Sequence, residues 1–345
     1  MEVWVLVDSY HFSMYSIKMN MNKFFLLTFL SVFIFPAFLH ARGSAEDRVQ
    51  PLTVYAIRGP SGVGLIRLFE EPPQIPGFDV RMEALASPDL IAARFISGEA
   101  RAGILPPNVA ANIRALGRNI QVIAIIGTGM LSLLTSDPDV QGLEDLRGKT
   151  VEVAGQAATP DFVFRTILAA HGIEPDRDVH LGFSLAVPEI TLSLVSGSVS
   201  TALLPEPFAT MARTARPDLR DVADVQEEWI RAGGPGNYPM TLLVVDGDFA
   251  AANPAAVAEI LNAARNSIEW VQANPAEAGV LVEEHDLGLR APVITAAIPH
   301  SNYVFIPAVE GRAAMEALFR VFLENTPVSI GGVLPDDGFY WAKGD

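Results

Sequence analysis

The feature that most constrains this chain is an internal echo, in which one succession of residues returns about 100 positions later. Ser87-Pro88-Asp89, Ser97-Gly98, Leu105-Pro106 and Pro107 are answered by Val187-Pro188-Glu189, Ser196-Gly197, Leu204-Pro205 and Glu206. In both halves a proline suited to the first helical position and an acid in the first turn open a helix, which a glycine then stops. The strands keep step. Thr53–Ile57, Phe78–Leu85, Ala102–Leu105 and Gln121–Ile126 are short apolar runs in the first half, and Thr150–Ala154 reopens the pattern in the second. Gly59 and Gly155 each follow the opening strand of their half. Short buried strands alternating with capped helices predict an α/β fold, here built twice. Two such units in one chain imply a cleft, because strand-end loops and helix N-termini of open α/β sheets converge on one edge.

The rest of the chain completes this frame. The apolar run Val63–Phe69 after the Gly59 loop predicts a helix, and Thr159-Pro160-Asp161 opens another that ends at Gly172. Tyr238–Val245 predicts one more strand. Beyond it, Val257, Ile260, Leu261, Ala264, Ile268 and Val271 follow the helical period behind Asn253-Pro254. Asn274-Pro275 opens the next helix, Ala308–Leu323 is a further amphipathic one, and Phe339-Tyr340-Trp341 forms an aromatic cluster near the end. With 345 residues, 50% of them hydrophobic, the chain can fill two medium cores.

The N-terminal stretch has a different character. Lys23 precedes the apolar run Phe24–Leu39, and Gly43-Ser44-Ala45 follows it. A basic flank, a short apolar core and small residues describe a cleavable secretory signal, and the run falls short of the roughly 20 residues a membrane span needs. Residues 1–45 are therefore expected to be a signal peptide cut after Ala45, with Ala41 as the alternative. Residues 1–18 read as an over-extended start, since Met19 or Met21 would begin a conventional signal.

Composition removes several classes of function. No cysteine is present, which excludes the lipid-accepting cysteine of a lipoprotein, disulfides and thiolate metal sites. The six His residues include no pair at helical ligand spacing, so no metal or other cofactor is expected. A formal net charge of −16 opposes binding to nucleic acid or anionic lipid. Gly59-Pro60-Ser61-Gly62 lacks the spacing of a nucleophile elbow, and no P-loop occurs.

Three stretches resemble a known family. Leu143-Glu144-Asp145-Leu146-Arg147-Gly148-Lys149-Thr150-Val151, then Gly155 and Ala158-Thr159-Pro160-Asp161, and finally Leu204-Pro205-Glu206-Pro207-Phe208-Ala209-Thr210 look like the NMT1/THI5-like substrate-binding proteins. That family handles sulfonates, taurine, nitrate and thiamine precursors. The resemblance implies a type II periplasmic-binding-protein fold: two α/β lobes joined by two crossing strands, with the ligand cleft between them. Lobe one would be residues 46–133 plus 244–345 and lobe two 134–243, with crossings near Met130–Thr135 and Met240–Val244. It also implies a ligand site shared by both lobes. Lobe one would supply Gly59, Ser61, Gly62, Ser87, Asn108 and Thr128, and lobe two Gln156, Thr159, Asp161, Glu189, Glu206, Asn237 and Tyr238.

These positions differ in what else explains them. Ser87 and Thr159 read equally as helix caps, and Gly59 and Gly62 as turn residues. Asp161 and Glu189 stand in helix first turns, where the macrodipole already favours an acid. Glu206, between two prolines at a strand end, has no such explanation and suits ligand N–H groups, or else a hinge role. Asn108 holds the matching place in the other half, and Tyr238 offers a ring face and a hydroxyl. Ser61-Gly62 ahead of a helix leaves backbone N–H groups for an anion or carbonyl. The histidines are weak candidates: His171 suits a helix C-terminus, His285 lies in an acidic stretch, and His300, in Pro299-His300-Ser301-Asn302, is the one that could approach the cleft.

The function implied is an exported, periplasmic solute-binding protein of an ABC importer, acting as a monomer and handing its ligand to a permease with its ATPase. Glu206, Asn108 and Tyr238 suit a heteroaromatic, vitamin-like compound such as a pyrimidine or flavin, while backbone N–H groups suit a sulfonate- or nitrate-type anion. A ligand-sensing partner of a membrane receptor is the alternative. An enzyme of the same fold is disfavoured: the family's eukaryotic pyrimidine synthase needs a Cys-rich segment, and the menaquinone-pathway enzymes are cytoplasmic.

Overall fold

The computed structural model describes residues 49–342, so the proposed signal segment and its cleavage site lie outside the described residues. Two sheets organise them. The first has six strands in the order β11-β4-β10-β3-β1-β2, the second five in the order β7-β6-β8-β5-β9. Here β1 is Gln50–Ile57, β2 Phe78–Leu85, β3 Ala102–Leu105, β4 Ile120–Thr128, β5 Leu131–Thr135 and β6 Thr150–Val153. β7 is His180–Gly182, β8 Thr201–Pro205, β9 Arg220–Asp221, β10 Pro239–Asp246 and β11 Tyr303–Pro307.

The internal echo is a real repetition of topology. β1 lies between β2 and β3, all parallel, and β6 lies between β7 and β8, again parallel. In each sheet an antiparallel strand follows, β10 beside β3 and β5 beside β8. The matching helices are Pro88–Ser97 and Val187–Ser196, and both end on a glycine in the left-handed region, Gly98 at φ 82 and Gly197 at φ 84. Parallel strands covered on both faces carry unbroken apolar runs, as in β3, where all four residues are buried.

One helix differs from its expectation. Val63–Phe69 is part of two short turns, Pro60–Val63 and Arg67–Glu70. Between them the backbone closes i→i−3 bonds, such as Leu65 N–H to Gly62 O at 3.1 Å and Ile66 N–H to Val63 O at 3.0 Å. Val63, Leu65, Ile66 and Leu68 are all buried, so no single stripe faces the core and the tighter winding spreads them around it.

The lobes are joined through adjacent crossings. β4 ends at Thr128, and Gly129-Met130 carry the chain into β5; the return passes through Asn237-Tyr238 into β10. The Gly129 N–H donates to Tyr238 O at 2.9 Å, tying one crossing to the other. β5 belongs wholly to the second sheet and β10 wholly to the first. Apolar packing continues across the junction, where Phe162 meets Phe322 edge-on at 5.1 Å between the helices Thr159–Ala170 and Ala308–Asn325. The C-terminal aromatics pack on the first lobe, with Trp341 N–H donating to Val122 O at 2.9 Å. No helix among the described residues is long and apolar enough to cross a membrane.

Candidate functional site

The strand-end loops of the first lobe leave several polar side chains uncommitted. Gly59 sits at φ 103, outside the range L side chains favour, and its N–H donates to Leu287 O at 2.8 Å. Gly62 is required by packing, since a Cβ there would lie 2.6 Å from Ile57 O. Ser61 is half-buried, with its hydroxyl 3.4 Å from that of Thr241 on β10. Ser87 occupies the N-cap of the Pro88–Ser97 helix, yet its side chain makes no capping bond. Asn108 lies half-buried in the first turn of the helix Pro107–Ala115. Thr128 is buried at the end of β4.

In the second lobe the corresponding carboxylates are occupied. Asp161 is 3% exposed and accepts from Ala157 N–H at 2.9 Å and Arg165 Nε at 2.6 Å. Glu189 turns back to the Ala186 N–H at 3.0 Å at the start of its own helix. Glu206 is 1% exposed, accepting from Thr210 N–H at 3.0 Å and from Arg213 Nη1 at 3.1 Å. A helix start therefore does account for Glu206, contrary to the sequence reading: the residue serves the opening turn of the helix Phe208–Ala215. Thr159 is a buried first helical residue rather than the cap, which is Ala158. Gln156 is exposed in the loop that follows Gly155.

Tyr238 is also placed differently from its expected role. It is fully buried, packed edge-on against Trp229 at 5.8 Å, and presents no face to a ligand. Burial pushes its phenol well above the ordinary range, and its hydroxyl makes no hydrogen bond. A tyrosine beside a central strand is core material first. Asn237, next to it, leans over Gly129 so closely that a Cβ at 129 would lie 1.9 Å from its Oδ1. Two histidines are tied elsewhere, His171 to Glu228 at 2.7 Å and His285 to Glu70 at 2.6 Å.

Glu206 and Asn237 meet at a polar cavity of about 590 Å³ on the seam between the lobes. β5, the segment Asp221–Gln226 and Glu206 wall it from the second lobe, and Pro299, His300 and Asn302 from the first. Arg213 is its hub, donating to Glu206, to Ser132 Oγ at 2.9 Å and to Asp221 Oδ1 at 2.6 Å. At the crossing, Gly129 O receives the side-chain amides of Gln226 from the second lobe and Asn302 from the first. Of these residues the sequence analysis reached Glu206, Asn237 and His300. Arg213 stands seven residues after Glu206, inside the helix that Glu206 precedes, and this closeness in sequence is the only local signal that links them. Asp221, Gln226 and Asn302 give no local signal.

The cavity is flanked by both sheets' elements and by residues next to both crossings. Among the described residues no cluster of His, Asp or Glu is placed to hold a metal. The repeated sheets and paired crossings are those of the type II periplasmic-binding-protein fold. Residues 76–278 match the family described as NMT1/THI5 like, more than half of the chain, and the protein belongs to that family.

Solved structures agree on the fold. An ABC transporter protein from Parabacteroides distasonis is 26% identical with a TM-score of 0.72, covering 86% of this chain and 100% of its own. The periplasmic aliphatic sulphonate binding protein SsuA from Escherichia coli is 15% identical with a TM-score of 0.69, covering 86% and 93%. The periplasmic nitrate-binding protein NrtA from Synechocystis PCC 6803 is 12% identical with a TM-score of 0.60, covering 81% and 84%. No curated protein matches the sequence significantly.

Proposed function

We propose that this protein is the extracytoplasmic solute-binding component of an ABC importer, which captures a small organic molecule between its lobes and presents it to a permease served by an ATPase. The observation that carries this reading is the seam cavity of about 590 Å³, walled from both lobes and bordered by both crossings. That volume lies within the usual range of small-molecule sites, about 300–1,000 Å³, and suits a heteroaromatic compound of pyrimidine to flavin size. Membership of the family and the likeness to an ABC transporter protein support the role. Sulfonate- or nitrate-type anions are the second ligand class, favoured by what two neighbours of the fold are named for.

In this reading residues 1–45 direct export to the periplasm, the mature chain acts as a monomer, and the lobes move about the Gly129-Met130 and Asn237-Tyr238 crossings. Ser87, Asn108 and Gln156 lie outside the wall of this cavity, and no bond-making chemistry is assigned to any residue. A thermal-shift screen against sulfonates, nitrate, pyrimidines, flavins and amino acids tests it. A true ligand at about 100 times its dissociation constant adds roughly 2.7 kcal/mol to the native state, enough to raise the melting temperature by several degrees. A chain recovered at full length from the cytoplasm, with no ligand raising its melting temperature, contradicts the proposal.

A further inference from the structure

We infer that the seam cavity selects a nitrogen-rich solute, cationic or bearing several N–H donors, and rejects inorganic and sulfonate anions. The inference rests on the solute-binding reading above and narrows it. It comes from asking which donors and acceptors in the cavity wall remain free once internal bonds are made.

The guanidinium of Arg213 is the natural anion receptor in the wall, and three of its five N–H donors are already spent. Its Nη1 donates to Glu206, and its Nη2 to Ser132 and Asp221. Two carboxylates therefore answer one cation before any ligand arrives, and a third, Asp224, is turned to the N–H groups of Gln226 and Glu227. An entering anion would have to displace a carboxylate from Arg213 while approaching the others.

The amides point the same way. A carbonyl accepts only from the NH₂ end of an amide, so the bonds to Gly129 O fix how Gln226 and Asn302 are turned. One N–H of each is spent on the crossing, which leaves each amide one N–H and its carbonyl oxygen for a ligand. Asp221 adds a carboxylate whose side chain is 52% exposed. The wall thus sets three carboxylates, Glu206, Asp221 and Asp224, against the one guanidinium of Arg213, which is the complement of an amidine, a guanidine, an amine or an aminated heteroaromatic ring. The amides of Gln226 and Asn302 come from different lobes, so a ligand spanning both oxygens would engage the seam from each side.

Calorimetric titration of the protein with cytosine, benzamidine and agmatine, set against nitrate and ethanesulfonate, tests the inference. Two variants accompany the unaltered chain. Asp221→Asn keeps shape but removes charge at an exposed position, and Ala223→Leu fills the cavity from its wall. The expected result is saturable binding of at least one nitrogenous probe, weakened about ten- to a hundredfold by Asp221→Asn and lost in Ala223→Leu, with the empty Asp221→Asn chain still unfolding in one cooperative transition. Saturable binding of nitrate or ethanesulfonate that Asp221→Asn leaves intact or strengthens overturns the selectivity, while the solute-binding reading stands. Failure of every probe to bind at millimolar concentration also overturns the selectivity. The broader reading falls with it only if native mass spectrometry of the protein taken from its own envelope finds no small molecule carried along.

Discussion

The two lobes reuse one arrangement of strands and helices, yet they treat the polar residues at their strand ends differently. In the first lobe Ser87 stands at a helix N-cap without a capping bond, and Asn108 is half-buried in a helix first turn. At comparable places in the second lobe, Asp161, Glu189 and Glu206 are each bound into the start of their own helices. A duplicated frame thus leaves one half with uncommitted hydroxyl and amide groups and the other with carboxylates that hold the backbone. On the proposed reading, recognition in the second lobe falls to Asp221 and Gln226, on the segment that lines the seam cavity. Equivalent position in a repeat is therefore a poor guide to equivalent role; the partners a side chain has already found are a better one.

Substitutions can break this contrast, and Glu206→Ala should act most strongly. Removing one member of a buried ion pair costs about 3–5 kcal/mol where the partner is left stranded. Arg213 keeps Asp221 and is 30% exposed, so the expected loss is nearer about 2–3 kcal/mol, read from the urea midpoint of the empty protein. A loss below half of that would mean that Glu206 is free for ligand after all. Asp161→Ala should follow, at about 1–3 kcal/mol, because it frees the Ala157 N–H and the Arg165 guanidinium together.

Acid should sharpen the same contrast. Among the described residues, the carboxylates held below their ordinary range are Asp137, by the hydrogen bond from Lys149, and Asp178, by that from Arg177, both in the second lobe. A folded pKa below the unfolded one contributes stability that is complete above the unfolded value of about 3.9 and is lost as pH falls through the folded values. Between about pH 5 and pH 2 the chain carrying Asp137→Asn and Asp178→Asn should lose less stability than the unaltered one. An identical acid limb in both chains counts against these pairings. The smallest effect belongs to Ser87→Ala. A capping serine typically contributes about 1 kcal/mol, but with no bond made the expected change is below about 0.5 kcal/mol. A full capping loss there would erase the difference between the lobes.

Much of the frame was legible because its signals are local. Gly98 and Gly197 stop their helices through left-handed backbone that glycine adopts at little cost, and Pro88 and Pro188 start them. β2 spans the residues its apolar run predicts, Phe78–Leu85. The site was much less legible. The Ser132 hydroxyl that Arg213 reaches lies 81 residues away in sequence, and no spacing rule connects them. The edge strand β9 has only two residues, too short for any alternation to show. Tyr238 carries both an apolar ring and a hydroxyl, so the sequence permits a ligand platform; only its seat beside the central crossing makes it core. Glu206 was misread for a related reason. Its helix begins beyond Pro207, which hides the usual signature of a capping acid.

The central claim is that the two lobes close over a solute at the seam, and small-angle X-ray scattering tests it most directly. Scattering is recorded from the protein alone and at saturation with the tightest-binding probe among cytosine, benzamidine and agmatine. The account predicts a smaller radius of gyration at saturation, as rotation about Gly129-Met130 and Asn237-Tyr238 brings the lobes together. An unchanged radius with calorimetry showing the site full would contradict it and leave a rigid pocket in place of a clamp.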